Sequence, residues 1–285
     1  MAAKINRYIL TLSCKDTTGI VAAVSGMLTD IGGFITESAQ WGDISTKKFF
    51  MRTVFDTDKY KVDHIRDLFR KVADKFEMMW EITDTSVKTR VLLMASKQDH
   101  CLSDLLNRHS RGDFNAQIPA VISNHEDVQD MVKWYNIPFY YFPVSNENRK
   151  EQENQILQII EKYNIDLTVL ARYMQILSPD LLSKISCKAI NIHHSFLPGF
   201  KGAKPYHQAF DKGVKIVGAT AHYASNDLDE GPIIEQEIVR VNHTNTPEEL
   251  LAIGRDAERI ALFKAVKYHI ERRILLNGNK TVVFS

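Results

Sequence analysis

Ala189-Ile190-Asn191-Ile192-His193-His194-Ser195-Phe196-Leu197-Pro198 reads as a short buried strand running into a polar loop closed by proline. Successive strand side chains point to opposite faces, so Asn191 and His193 share one side and Ile192 takes the other. An amide and an imidazole at a strand end suit work on a carbonyl: the amide N–H donates to an oxygen gaining charge, and the imidazole moves a proton.

Upstream, strand-like runs at 90–95, 117–123, 139–143 and 166–171 alternate with helical runs at 102–109, 128–135, 147–163 and 179–185. That rhythm predicts a parallel sheet covered on both faces, with ligands bound beyond the carboxyl ends of its strands. Asn191 and His193 fall at such an end. Downstream, a strand at 215–224 leads into Ser225-Asn226-Asp227-Leu228-Asp229-Glu230-Gly231-Pro232, then a strand at 233–241. One acid of that turn is expected to reach His193 and favour its charged form, and the sequence does not choose among Asp227, Asp229 and Glu230. His222 is expected to pack nearby or to support the site residues from behind, and His194 to point away from His193 as a pocket-wall or structural residue. A helix is expected over 247–276, opened by a Thr246/Glu249 capping box.

Residues 1–84 have a different order. Strands at 5–13, 34–41, 47–56 and 76–83 enclose two helices, one over 20–31 and one carrying Val62, Ile65, Leu68, Phe69 and Val72. The β-α-β-β-α-β succession predicts a ferredoxin-like sandwich. Asp16-Thr17-Thr18-Gly19 supplies N-cap chemistry for the first helix. The polar stretch 84–88 marks the boundary, giving domains 1–84 and 85–285.

Composition narrows the function. The chain has 285 residues and a net charge of +1, so it has no broad field for nucleic acid or anionic membrane. No apolar run approaches the roughly 18 residues of a membrane span. Cys14, Cys101 and Cys187 are odd in number and far apart, which points to reduced thiols and a cytoplasmic protein. His193, His194, His207 and His222 include no H-E-x-x-H, and adjacent strand histidines diverge, so no metal site is expected.

Asn191-Ile192-His193, Leu197-Pro198, and His222 followed by Asp229-Glu230-Gly231-Pro232-Ile233-Ile234 together resemble the folate-dependent formyltransferase family over about residues 88 to 285. The resemblance implies a Rossmann-like α/β domain and places the family's catalytic trio on Asn191, His193 and Asp229. It maps the folate pocket onto Arg172-Tyr173-Met174-Gln175-Ile176-Leu177, with Met174, Gln175, Ile176 and Leu177 as contacts. Ser225, Asn226 and Asp227 are further substrate-binding candidates. Folate is then the substrate, and no cofactor is implied.

Lys15-Asp16-Thr17-Thr18-Gly19-Ile20-Val21-Ala22 and Ile31-Gly32-Gly33-Phe34-Ile35 resemble the ACT domain. This implies an ACT-like module, a homo-oligomer, and glycine or methionine as a possible effector. Helix capping and assembly alone explain the same glycines.

The departures specify the reaction. The family's transferases that act on glycinamide ribonucleotide carry a Gly-rich phosphate loop where this chain has Ala95-Ser96-Lys97-Gln98-Asp99-His100-Cys101-Leu102, without glycine. The common Pro after the His is His194, and a frequent pocket Arg is Gln175. Over its full length the chain therefore resembles the formyltetrahydrofolate deformylase family. The resemblance implies hydrolysis of 10-formyltetrahydrofolate by water, yielding formate for purine synthesis. Asn191 would stabilise the oxyanion, His193 would assist it and protonate N10, and Asp229 would orient His193 and take the proton from water.

Overall fold

The computed structural model describes residues 5–185, 188–197 and 205–285. Pro198 and Cys187 lie outside the described residues. The chain forms two compact units. The first runs to Lys88 and includes Glu271–Asn277 and Val282–Ser285, and the second holds Thr89–Ile270 and Gly278–Thr281. The C-terminal residues expected in the second domain are thus shared between the units.

In the first unit, β1 (Asn6–Lys15), α1 (Ile20–Asp30), β2 (Phe34–Asp43), β3 (Lys48–Thr57), α2 (Val62–Lys75) and β4 (Met79–Asp84) follow in the expected succession. The antiparallel sheet has the order β2-β3-β1-β4. Tyr8, Leu10 and Leu12 of β1 pack with Val24 and Leu28 of α1 and with Ile65 and Phe69 of α2, because strand period and helical stripe present their apolar sides to each other. Two local expectations are corrected. Gly19 itself caps α1 in the left-handed conformation (φ +95°), and no side chain caps the helix. The last strand starts at Met79, because Phe76 and Glu77 (φ +51°) complete the end of α2.

The second unit contains β5 (Thr89–Ala95), α3 (His100–Arg111), β6 (Ala116–Ser123), α4 (Gln129–Trp134), β7 (Phe139–Tyr141), α5 (Arg149–Lys162), β8 (Leu167–Leu170), α6 (Pro179–Lys184) and β9 (Lys188–His193). It continues through α7 (Pro205–Asp211), β10 (Ile216–Tyr223), β11 (Ile233–Arg240) and α8 (Pro247–Ile270). The sheet order is β11-β10-β9-β8-β5-β6-β7. Strands β9, β8, β5, β6 and β7 are parallel, and β10 and β11 add antiparallel neighbours at one side. Val91 to Ala95 of β5 are all buried, as expected of a parallel strand covered on both faces.

The capping box forms as read: Thr246 N–H donates to Glu249 Oε2 at 2.9 Å, and Glu249 N–H to Thr246 Oγ1 at 3.2 Å. The helix it opens ends at Ile270, short of the expected 276. Arg272 turns left-handed (φ +54°), and the remainder forms a hairpin of β12 (Ile274–Asn277) and β13 (Lys280–Val283). The sequence reading also missed α7.

Candidate active site

Strand β9 ends at His193, and its pairing with β10 sets Asn191 opposite His222 and His193 opposite Thr220. Directly opposed residues of an antiparallel pair project to the same face. Four polar side chains thus gather on one face of the sheet. A β-bulge between Ala221 and His222 in the β10–β11 ladder sits beside this patch.

Thr220 anchors the loop after β9: its hydroxyl donates to Ser195 O at 2.9 Å and accepts from Leu197 N–H at 3.0 Å. Gln236 of β11 donates to Thr220 Oγ1 at 3.1 Å and to Leu197 O at 3.0 Å.

His222 Nδ1 lies 2.9 Å from the Tyr223 carbonyl and therefore carries the proton. Its Nε2 then accepts from Asn191 Nδ2 at 3.2 Å. That bond fixes the amide and leaves its second N–H for the cleft. Of the two roles expected for His222, packing or support of the site residues, the geometry gives the second, since it positions Asn191.

Of the three acids in the following turn, the one beside the histidines is Asp229. Its carboxylate lies 3.1 Å from His193 Nδ1 and 3.6 Å from His222 Nε2. Asp229 is left-handed (φ +58°), a conformation Asp tolerates better than most residues. The turn is held by Ser225 Oγ donating to Asp227 O at 2.8 Å and by Tyr223 N–H donating to Pro232 O at 3.0 Å. A Cβ on Gly231 would overlap the Tyr223 carbonyl, so the strand-to-turn approach requires glycine.

The hydrogen bond from His193 holds the Asp229 carboxyl well below the usual carboxylate range, against the opposing effect of burial. Asp229 is therefore an anion that orients His193 through Nδ1. His193 Nε2 is buried and has no hydrogen-bond partner among the described residues.

These groups share a cleft of about 260 Å³. Its walls include the expected Met174, Gln175, Ile176 and Leu177, with Ser225 and Asn226. Met174 and Ile176 are 56% and 55% exposed, apolar surface available to a ligand. Asp227 is exposed and is not part of this lining, its carbonyl serving the turn. His194 is a wall of the cleft, as expected, but it does not turn away: its ring is stacked on that of His193 at 5.0 Å and 27°. The strand ends at His193, so strict alternation stops there. Burial, with the Arg172 and His193 charges, pushes the His194 imidazole down to about 4, so it is neutral near pH 7.

The sequence reading did not foresee a buried ionic cluster built on Glu258 of α8. Glu258 is 1% exposed, with Oε2 2.7 Å from His100 Nε2 and 3.4 Å from Arg172 Nε. Oε1 accepts from Tyr206 OH at 3.0 Å. Arg172 Nε also donates to Gln98 Oε1 at 2.9 Å. Burial raises the Glu258 carboxyl, but the His100 hydrogen bond and the Arg172 charge outweigh it and leave it below its ordinary value.

His100, Cys101 and Glu258 bring three ligand-type atoms within 4.8 Å of one another. The set does not suit a cation. The Arg172 guanidinium already faces the carboxylate, and burial, then the Glu258 charge, push the Cys101 thiol well up, away from the thiolate a metal needs.

Comparison with known proteins agrees with this geometry. Residues 89–266 match the formyl transferase family. A formyltetrahydrofolate deformylase of Corynebacterium sp. (strain P-1) is 48% identical over 279 residues, covering 97% of this chain and 98% of that protein. The crystal structure of formyltetrahydrofolate deformylase from Burkholderia mallei superposes with a TM-score of 0.93 at 48% identity, over 98% of this chain and 100% of that one. The phosphoribosylglycinamide formyltransferase structure from Anaplasma phagocytophilum gives a TM-score of 0.63 at 32% identity, over 70% of this chain and 96% of that one. The chain belongs to the formyltetrahydrofolate deformylase family, within the formyl transferase fold.

Proposed function

We propose that this chain hydrolyses 10-formyltetrahydrofolate to tetrahydrofolate and formate, without a cofactor, and that the formate feeds purine synthesis. The observation that carries the reading is the orientation of His193: Nδ1 meets Asp229, and Nε2 is buried in the cleft without a partner among the described residues. The exposed apolar surface of Met174 and Ile176 suits a pterin and its aryl ring.

The water oxygen bonds to the formyl carbon, and the carbonyl oxygen takes up negative charge. Asn191, held by His222, donates to that oxygen. His193 Nε2 takes a proton from the water and returns it to N10 as the C–N10 bond breaks. The second proton leaves to solvent as formate ionises. Asp229 was expected both to orient His193 and to take the water's proton. Its depressed pKa makes it a poor base, so the orienting role is retained and the proton is assigned to His193. Release of formate with no acceptor present is the test.

The first unit is read as an ACT-like module that pairs copies of the chain. Exposed Phe34 and Trp41 on β2, an edge strand of its sheet, support self-association. Backbone N–H groups beside Gly19 could receive the carboxylate of glycine or methionine, which calorimetric titration of the full chain tests. Free, buried Cys14 and Cys101 support a cytoplasmic setting, and no helix among the described residues is long and apolar enough to cross a membrane.

A further inference from the structure

Two buried side-chain nitrogens are without a hydrogen-bond partner among the described residues: His193 Nε2 and Arg172 Nη1. Both residues line the same cleft. The proposed hydrolysis uses the first and gives the second nothing to do. Leaving a buried donor without an acceptor is costly, so an acceptor is expected to meet it in the working enzyme.

Arg172 is built to hold position. Its backbone is left-handed (φ +64°), and its carbonyl accepts from Ser96 N–H at 3.3 Å. Its Nε edge is occupied by Gln98 at 2.9 Å and Glu258 at 3.4 Å. Both Glu258 oxygens are engaged elsewhere as well, by His100 and Tyr206. The guanidinium is therefore locked along one edge and presents a fixed donor on another, and its side chain is only 8% exposed.

We propose that Arg172 is the subsite for the carboxylate that hydrolysis creates: formate is held between Arg172 Nη1 and the Asn191–His193 pair. This rests on the hydrolase reading and deepens it. The product has one oxygen more than the formyl group. Asn191 meets the oxygen that was the carbonyl, and Arg172 together with His193 Nε2 meets the oxygen that arrives as water. A guanidinium is suited to a planar carboxylate. His194, stacked on His193 and kept neutral, adds no competing charge.

Folate carries a second carboxylate source, its glutamate tail, and the test separates the two. Product inhibition by sodium formate, at fixed tetrahydrofolate, is measured for the full-length protein, Arg172→Gln and Arg172→Lys. The formate inhibition constant is expected to rise about tenfold or more in Arg172→Gln, and less in Arg172→Lys, while KM for the folate stays within about twofold. An inhibition constant unchanged in both variants overturns the proposal. So does a KM that rises in Arg172→Gln for the glutamylated donor but not for a donor lacking the tail, because Arg172 then reads the tail. Should Arg172→Gln fail to fold around the stranded Glu258, Arg172→Gln/Glu258→Gln removes both charges and takes its place. Binding of isotopically labelled formate, followed by NMR line broadening, gives the same readout without turnover. Loss of formate affinity in the variants then stands even if the hydrolase reading falls.

Discussion

Asp229 Oδ2 lies 3.1 Å from His193 Nδ1, and the carboxylate comes from a left-handed residue in a turn rather than from the sheet that carries the histidine. Strand β9 provides the imidazole, and the β10–β11 turn provides its orienter. Asp229→Asn keeps a side chain that tolerates the left-handed backbone and removes the charge. It is expected to lower kcat by about 10²–10⁴-fold while the chain still folds cooperatively. Steady-state rates beside thermal unfolding check this, and a near-wild-type kcat would remove Asp229 from the mechanism.

The same carboxyl gives a stability signature. Its folded pKa lies below its unfolded value of about 3.9, so the stabilisation is complete above that value and is lost as pH falls toward the folded pKa. The stability difference between wild type and Asp229→Asn should therefore be constant from neutral pH down to about 5 and shrink below about 4. Urea denaturation at several pH values reads it, and a difference that persists unchanged at acid pH counts against the hydrogen-bonded anion.

Asn191→Ala removes the oxyanion donor and is expected to cost about 10²–10³-fold in kcat with little change in KM. His222→Ala acts one step away, by freeing the Asn191 amide that it holds at 3.2 Å. It should lower kcat less, and combining the two variants should cost little beyond Asn191→Ala alone. Additive losses would separate the two residues.

Gly231→Ala places a methyl group against the Tyr223 carbonyl, next to His222 Nδ1. The turn must shift, and a loss of roughly 1–3 kcal/mol in stability is expected together with a fall in kcat. An Ala variant of unchanged stability and rate would show that the turn relaxes freely.

Exhaustive chelation is expected to leave activity intact, because the His100–Cys101–Glu258 group is neutralised by Arg172 and holds a protonated thiol. Activity lost to a chelator and restored by a divalent cation would contradict that.

Much of this was legible in the chain. Alternation placed Asn191 and His193 on one face, and strands separated by helices placed that face at a ligand edge. The end of α8 was not legible, because Arg272-Arg273-Ile274-Leu275-Leu276 keeps an apolar rhythm and the break is a left-handed arginine rather than glycine or proline. Nor did local patterning choose Asp229 from three acids, since that needs the turn's return toward His193. His222 depends on cross-strand register, which no local pattern carries. Glu258 left one faint signal: an acid on the helical stripe of Gly254, Ala257, Ala261 and Ala265, all small or apolar and, like it, buried in α8.

The most direct test of the account is a stopped assay for free formate, with purified protein and 10-formyltetrahydrofolate and no amine acceptor. The account predicts formate and tetrahydrofolate in equal amounts, with turnover lost in His193→Ala. Formyl transfer that proceeds only when an amine is added, with no free formate, would contradict it.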